Sequence, residues 1–400
     1  MRRVSVYEVW SVEEDTLHKF RVNSPADGWF PALEGLSWCI TKSNLPYLDL
    51  FFFPHLKKVS ICASWAESSF ESEGLHEILP VIASTISALP VSTLQGLHLS
   101  VHPWAYFTAS FSSVVLGCGP PLTVFTSTTP LSDTVIDHLI HLPHLHTWSI
   151  GGPPPAYSAS SLPLVFPPLV ELTLKGGTAR EWFSLFERLE GPATPLSRVK
   201  ESLKSLHINL NHPSPIIDVR FASPIRMFRN LVSLNVETFC HDTNSENRCV
   251  FKLNDDDVTK LAIALPQLQS LFLGDPCPEN TCATTVACLL QISVHCVKLR
   301  ELKIHFNTRN VVGDLKGISE DPNFQELRSL PRCTLMRLSV AFAPLALDRP
   351  GFKAVTNGMI DIFPCLRRCE GSEPAWIELS VGLANSRRAA VSVTLGFSFI

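Results

Sequence analysis

Four histidines, His138, His141, His144 and His146, are the densest group of potential metal ligands in the chain. Neutral imidazoles bind zinc and similar ions when two or more converge at fixed spacing. His138 and His141 sit three apart on an expected helix, and His144 and His146 flank an expected strand start, so they also read as polar outer-face positions. Cys277, Cys282, Cys288 and Cys296, with His295, form a second group. Their spacing fits no zinc module, and Cys288 falls on an apolar helical position, so small core residues are expected there. Cys365 and Cys369 are read in the same way. Asp255, Asp256 and Asp257 lack the other ligands of a calcium loop and suit a helix N-terminus.

The catalytic signatures that come near completion all fail. Position 80 is Pro, so His76-Glu77 lacks the second histidine of a zinc-protease helix. Gly117-Cys118-Gly119 runs into Pro120-Pro121, which makes it a turn and not a dinucleotide loop. Ser197-Arg198-Val199-Lys200 matches a four-letter nucleophile motif without its companion motifs. The expectation is therefore a non-enzyme with no catalytic, cofactor or metal residues. The alternatives are a metal-binding protein or enzyme using the His and Cys clusters, or a truncated gene remnant.

The elements that would position these residues come from the rest of the 400-residue chain. Apolar residues are 45% and charged residues 18%, enough for a core and unlike a disordered chain. A net charge of −4 argues against nucleic-acid binding through a broad basic face. Residues 78–132 carry no Asp, Glu, Lys or Arg, but Pro80, Pro90, Pro103 and Pro120 break them below the length of a spanning helix, so no membrane is expected. The chain has 12 cysteines with no C-x-x-C pair, no signal-peptide pattern after Met1 and no glycosylation sequon. These absences together point to an intracellular, cytoplasmic or nuclear setting.

One phrase recurs. Leu169-Val170-Glu171-Leu172-Thr173-Leu174 has the form L-x-x-L-x-Φ, Φ being apolar, and a turn follows at Gly176-Gly177. The same form begins at Leu56, Leu94, Leu145, Leu203, Leu231, Leu268, Leu299 and Leu335, with a degenerate copy at Leu122. Successive first leucines lie 23 to 38 residues apart, within the range of leucine-rich repeats and their longer relatives. L-x-Φ alternates inward and outward, so each phrase predicts a short strand with both apolar residues on one side. Helical spacing fills the gaps, as in Asp133–Ile140, Glu181–Leu189, Asp255–Leu265 and the stretches at Val286 and Met359; the segment from His76 to Ile86 is read similarly. Each helix ends near Leu-Pro or Phe-Pro. Helix alternating with short strand in one sense implies a parallel coil.

The expected fold is thus α/β: a leucine-rich-repeat solenoid with a curved parallel sheet on the concave side and helices on the convex side. Residues 1–50, rich in aromatics, are expected to be an N-terminal cap. Residues 51–380 form the irregular solenoid, and 381–400 a C-terminal tail or edge strand. Outward strand positions then line the concave face. His98, His146, Glu171, Thr173, His207, Asn235, Phe272, Lys303 and Arg337 are the partner-binding candidates, a mixed set suited to protein recognition.

The punctuated copies Phe53-Pro54-His55-Leu56, Leu142-Pro143-His144-Leu145-His146, Phe166-Pro167-Pro168-Leu169-Val170-Glu171-Leu172, Leu265-Pro266-Gln267-Leu268 and Phe363-Pro364-Cys365-Leu366 carry a resemblance. Over roughly residues 45–380 the chain resembles the repeat region of fungal, mushroom-type F-box-like proteins. Residues 1–50 show no Leu-Pro-x-Glu opening of an F-box. The resemblance implies a substrate receptor of a cullin-type ubiquitin ligase, with a protein target held by the repeats and a Skp1-like adaptor as a further partner.

Overall fold

The structure, a computed structural model, describes residues 14–23, 32–39, 45–64, 88–102, 108–128, 130–152, 167–177, 197–210, 216–217, 219–238, 250–274, 283–340, 348–371 and 374–396, together with 84, 182 and 186. The chain divides into two compact units, Met1–Lys175 with Gly191–Val199, and Gly176–Glu190 with Lys200–Ile400. Both are built from the L-x-x-L-x-Φ phrase, one strand per copy.

The first unit carries strands β1 (Gly35–Cys39), β2 (Lys58–Ser64), β3 (Gly96–His102), β4 (Val124–Ser127), β5 (Thr147–Gly151) and β6 (Glu171–Lys175), each parallel to the next in sequence. Register aligns equivalent phrase positions. Leu36, Val59, Leu97, Phe125, Trp148 and Leu172 make one row across the sheet, none more than 4% exposed. The first leucines of the phrases, Leu56, Leu94, Leu122, Leu145 and Leu169, are all at 0%. Each of these strands therefore has one buried face, and the alternate residues take the other side, where most are partly exposed and Ser149 on β5 is itself buried.

Phrases are also tied one residue upstream of their strands. The Lys57 N–H donates to the Glu34 carbonyl at 2.8 Å, Gln95 to Lys57 at 2.7 Å, Thr123 to Gln95 at 2.8 Å, His146 to Thr123 at 3.0 Å and Val170 to His146 at 2.8 Å. One position of the phrase thus pairs with itself at every step. This extends the ladder into the turn and fixes where the first leucine enters the core.

The second unit repeats the device. Strands β7 (Ser205–Leu210), β9 (Ser233–Thr238), β11 (Ser270–Leu273), β12 (Glu301–Ile304), β13 (Arg337–Val340) and β14 (Arg368–Gly371) form one parallel ladder, and the short β8 (Ile216–Ile217) and β10 (Val250–Phe251) pair apart from it. Val232 donates to Lys204, Gln269 to Val232, Arg300 to Gln269, Met336 to Arg300 and Arg367 to Met336, at 2.7 to 2.9 Å. Leu203, Leu231, Leu268, Leu299, Leu335 and Leu366 are at 0% exposure.

Helices fill the intervals. Described in the first unit are α1 (Glu14–Val22), α2 (Thr108–Leu116) and α3 (Asp133–Ile140); in the second, α4 (Val219–Ile225), α5 (Asp255–Ala264), α6 (Val286–His295), α7 (Val311–Glu320), α8 (Pro322–Arg328), α9 (Arg349–Ile362) and α10 (Pro374–Gly396). The helix read at Asp133 thus forms as expected, with Val135, Ile136, Leu139 and Ile140 buried. The acidic run at Asp255 begins α5 and does two things. Asn254 accepts from the Asp257 N–H at 2.9 Å and Asp257 returns a bond to the Asn254 N–H, closing a capping box. Asp255 accepts from the N–H and hydroxyl of Thr285, the N-cap of α6, at 2.6 Å each, tying one helix start to the next. At the end of the β6 phrase Gly176 and Gly177 both adopt positive φ, 74° and 75°, a reversal that glycine makes without a Cβ clash.

Three expectations need amendment. The phrase starts earlier than Leu56: Leu33-Glu34-Gly35-Leu36-Ser37-Trp38 lies inside the region read as a cap, yet β1 takes the full register, with Leu36 and Trp38 buried. Alongside it, α1 contributes Leu17 to the core and an Arg21–Asp49 ion pair at 2.8 Å. A last copy at Leu366-Arg367-Arg368-Cys369 forms β14, with Cys369 in the second leucine's place. At the C-terminus, residues 381–396 continue α10 and are not an edge strand. Val391 and Val393 alternate with Ser392 and Thr394, a pattern a strand could use, but the chain is already helical from Pro374, and helix propagation costs little once a nucleus exists. Most of the helix expected at Glu181–Leu189 and the segment from His76 lie outside the described residues. Trp182 and Phe186, four apart, are both buried.

Leu172→Asp should remove the cooperative unfolding transition of the first unit, because it buries a carboxylate without a partner, a loss of about 3 kcal/mol or more. Exposed Glu171→Ala should change stability by no more than about 0.5 kcal/mol. Denaturant titration followed by tryptophan fluorescence separates the two; equal midpoints would mean that the strand register is wrong.

Candidate interaction face

Because every strand buries one side, the alternate positions form an outward row in each unit. In the first unit the row runs Ser37, Ser60, His98, Thr126, Ser149, Thr173. It has no formal charge apart from what His98 can carry. Burial, and then the charge of Lys175, hold the His98 imidazole below its ordinary value of 6.5, so this row is neutral at neutral pH. His98 and Thr173 share that row, with Thr126 and Ser149 between them. The neighbouring row holds Lys58, Val124, Thr147 and Glu171. Here the Thr147 hydroxyl donates to Glu171 Oε2 at 3.3 Å and lies 3.1 Å from His146 Nδ1. Thus His146 and Glu171, unconnected in sequence, meet through Thr147.

In the second unit His207, Asn235, Phe272 and Lys303 occupy consecutive places in one row, continued by Ser339 and Glu370. Four of the nine candidates therefore stand side by side. Arg337 belongs to the next row, with Ser270, Glu301 and Arg368. It reaches Glu301 through Nη1 at 3.4 Å and Glu370 through Nε at 3.8 Å, while Arg368 Nε holds Glu370 at 2.7 Å. These pairs are largely solvent-exposed, so they organise the surface more than they stabilise it.

The β7–β9 end is different. Asn235 Nδ2 donates to Glu237 Oε1 at 2.9 Å and faces His207 Nδ1 at 3.3 Å. An amide nitrogen can only donate, so Nδ1 accepts and the imidazole proton sits on Nε2. That Nε2 lies 3.4 Å from Glu237 Oε2, within ion-pair range but without the alignment of a hydrogen bond. Among the described residues the buried acceptors Asn235 Oδ1 and Asn209 Oδ1 meet no hydrogen-bond donor. Among the described residues Glu237 meets no lysine or arginine, in contrast to Glu301 and Glu370. Phe272, half-buried, is beside Asn235.

Glu237, Asn209, Glu301, Arg368 and Glu370 belong to this surface and were not among the candidates. Glu301 and Arg368 stand at x positions of the phrase, where the alternation alone points outward. Glu237 and Asn209 lie one step past Φ and required the strands to run longer than the phrase.

The remaining clusters have structural uses. His138 Nε2 lies 2.9 Å from the Cys118 carbonyl and His141 Nδ1 2.6 Å from the Asp137 carbonyl. Cys288 and Cys296 are buried, and burial pushes the Cys296 thiol up to about 12. Cys277 and Cys282 lie outside the described residues. Among the described residues no three His, Cys, Asp or Glu side chains converge to hold a metal ion. A cleft of about 370 Å³ opens at the N-terminal ends of β2 and β3, lined by Glu34, His55, Lys57 and Gln95, with Lys57 and Glu34 ion-paired at 2.9 Å. Among the described residues no helix is long and apolar enough to cross a membrane.

No family model and no curated protein matches the chain. Among solved structures it is similar to the leucine-rich repeat-containing protein LegL7 from Legionella pneumophila, at 11% identity and a TM-score of 0.35, covering 88% of this chain and 98% of that one. So loose a likeness adds nothing to the fold assignment. The aligned register of the phrases identifies each unit as leucine-rich-repeat solenoid.

The state of His98 yields a pH prediction. The unfolded chain takes up a proton near 6.5 and the folded chain only at lower pH, so stability falls as pH drops below 6.5 and the effect vanishes above it. In His98→Gln the fall in unfolding midpoint with acidification should be shallower. Identical pH profiles for the two proteins would contradict this environment for the ring.

Proposed function

We propose that the chain is a non-enzymatic scaffold that binds another protein through the outward strand face of its repeats. The observation that carries this reading is the pair of neighbouring outward rows in the second unit. Polar side chains there are held in place by one another, Asn235 between His207 and Glu237, and Arg337 between two glutamates. A recognition surface with its side chains already ordered loses less entropy on binding than a floppy one. Phe272 supplies an apolar anchor among polar neighbours, a composition found at protein interfaces. Glu237, which meets no lysine or arginine among the described residues, favours a basic group of the partner at that end.

The resemblance to fungal F-box-like repeat proteins supports a finer version, in which the bound protein is a target presented to a cullin-type ubiquitin ligase through a Skp1-like adaptor. The two versions are separable. Failure of the full chain to bind the adaptor removes the ligase role and leaves the scaffold.

Photo-crosslinking residues placed at Thr173 and Phe272 should give defined adducts to a protein in cells. The same residue at Ile263 on α5 and at Val297 just after α6, exposed positions off the strand face, should not. Adducts only from the helical side would overturn the assignment of the binding face. For a partner so identified, Arg337→Glu should weaken binding about tenfold or more, since reversing a charge places like charges together.

A further inference from the structure

Two cysteines stand in direct register on adjacent strands at the start of the first unit. Cys39 on β1 pairs with Cys62 on β2. Both are half-buried and share the outward side with Ser37 and Ser60, because burial alternates along β1. The Cys62 thiol leans over β1, donating to the Trp38 carbonyl at 3.6 Å, and lies within hydrogen-bonding reach of Cys39. By contrast Cys118, Cys288, Cys296, Cys333 and Cys369 are buried in the core.

Register partners on parallel strands are about 4.8 Å apart, and a disulfide spans Cα separations of about 4.4 to 6.8 Å. The two backbones therefore already stand at bridging distance. Partial exposure admits a small oxidant, as it cannot be admitted to the core thiols.

We infer that Cys39 and Cys62 form a reversible thiol–disulfide site on the outward face, closed by a peroxide-class oxidant and reopened by a dithiol. The Cys39 sulfur attacks one peroxide oxygen, the O–O bond breaks, and the products are a sulfenic acid and water. Two electrons pass from sulfur to peroxide. The Cys62 sulfur then attacks the Cys39 sulfur and the S–O bond breaks. The leaving hydroxide takes the Cys62 proton, so a second water departs as the S–S bond forms. Burial and the Cys39 thiol push the Cys62 thiol up to about 12, so Cys62 keeps its proton until that second step. The Cys62 S–H is also engaged by the Trp38 carbonyl, which makes Cys39 the residue that meets the oxidant and Cys62 the one that resolves it. The closed form staples β1 to β2 at the edge of the sheet, on the side where the binding row begins.

The test uses the full reduced chain, exposed to hydrogen peroxide, blocked with N-ethylmaleimide, digested without reductant and mapped by mass spectrometry. A linked peptide pair containing Cys39 and Cys62, absent after dithiothreitol, is the expected result. In Cys62→Ser the link should be lost and Cys39 should instead be trapped by dimedone. If both thiols are still alkylated at a peroxide dose that oxidises exposed Cys365, the inference fails. It fails equally if Cys39 gives the same dimedone adduct in wild type as in Cys62→Ser.

Discussion

No copy of the L-x-x-L-x-Φ phrase can bury its own leucines. A single strand with one turn has no second layer, and its backbone edge is left without partners. Both deficits are met by the adjacent copy. Its leucines cover the neighbour's, and the carbonyl upstream of its strand accepts the neighbour's N–H, as in Lys57 to Glu34 or Val232 to Lys204. Everything else in either unit depends on this coupling. Strand order follows sequence order because only the next copy is in reach, and the register cannot slip without turning every leucine outward.

The outward face is a by-product of that rule, and its chemistry is free to vary. In the first unit it is a row of hydroxyls with one neutral imidazole. In the second it is a set of side chains that bind one another, the charge of Arg337 being shared between Glu301 and Glu370. The rows are straight because equivalent phrase positions align, so a residue's neighbours are the residues at the same position one repeat away. Such a surface displays side chains at strand spacing, a geometry that meets an extended protein surface.

The pair Cys39 and Cys62 comes from the same alignment. They lie 23 residues apart, at the same place in successive copies, and are in contact for that reason alone. The His146–Thr147–Glu171 chain and the His207–Asn235 pair arise in the same way. In a repeat architecture, tertiary contacts follow from phase, and a residue's partner is found by counting from the first leucine of each phrase.

What the sequence by itself determined was the phase. Leucines at fixed spacing required a half-buried strand, and recurrence required stacking, so the parallel ladder and the candidates His98, Thr173, His207, Asn235, Phe272 and Lys303 were legible as outward positions. Phrases with aromatic or small substitutes were harder to see. Leu33 to Trp38 was masked by surrounding aromatics, and Leu366 to Gly371 by Cys369 and Gly371 where bulky apolar residues belong. Only the tertiary structure decided where strands end, which brought in Glu237 and Asn209, and which rows carry matched charge, which separated Glu237 from Glu301 and Glu370. It also decided that residues 381–396 continue a helix. The physical reason is one of range. Alternation along a strand is local and is written in the side chains, whereas pairing across strands depends on the length of each intervening loop, which no periodicity records.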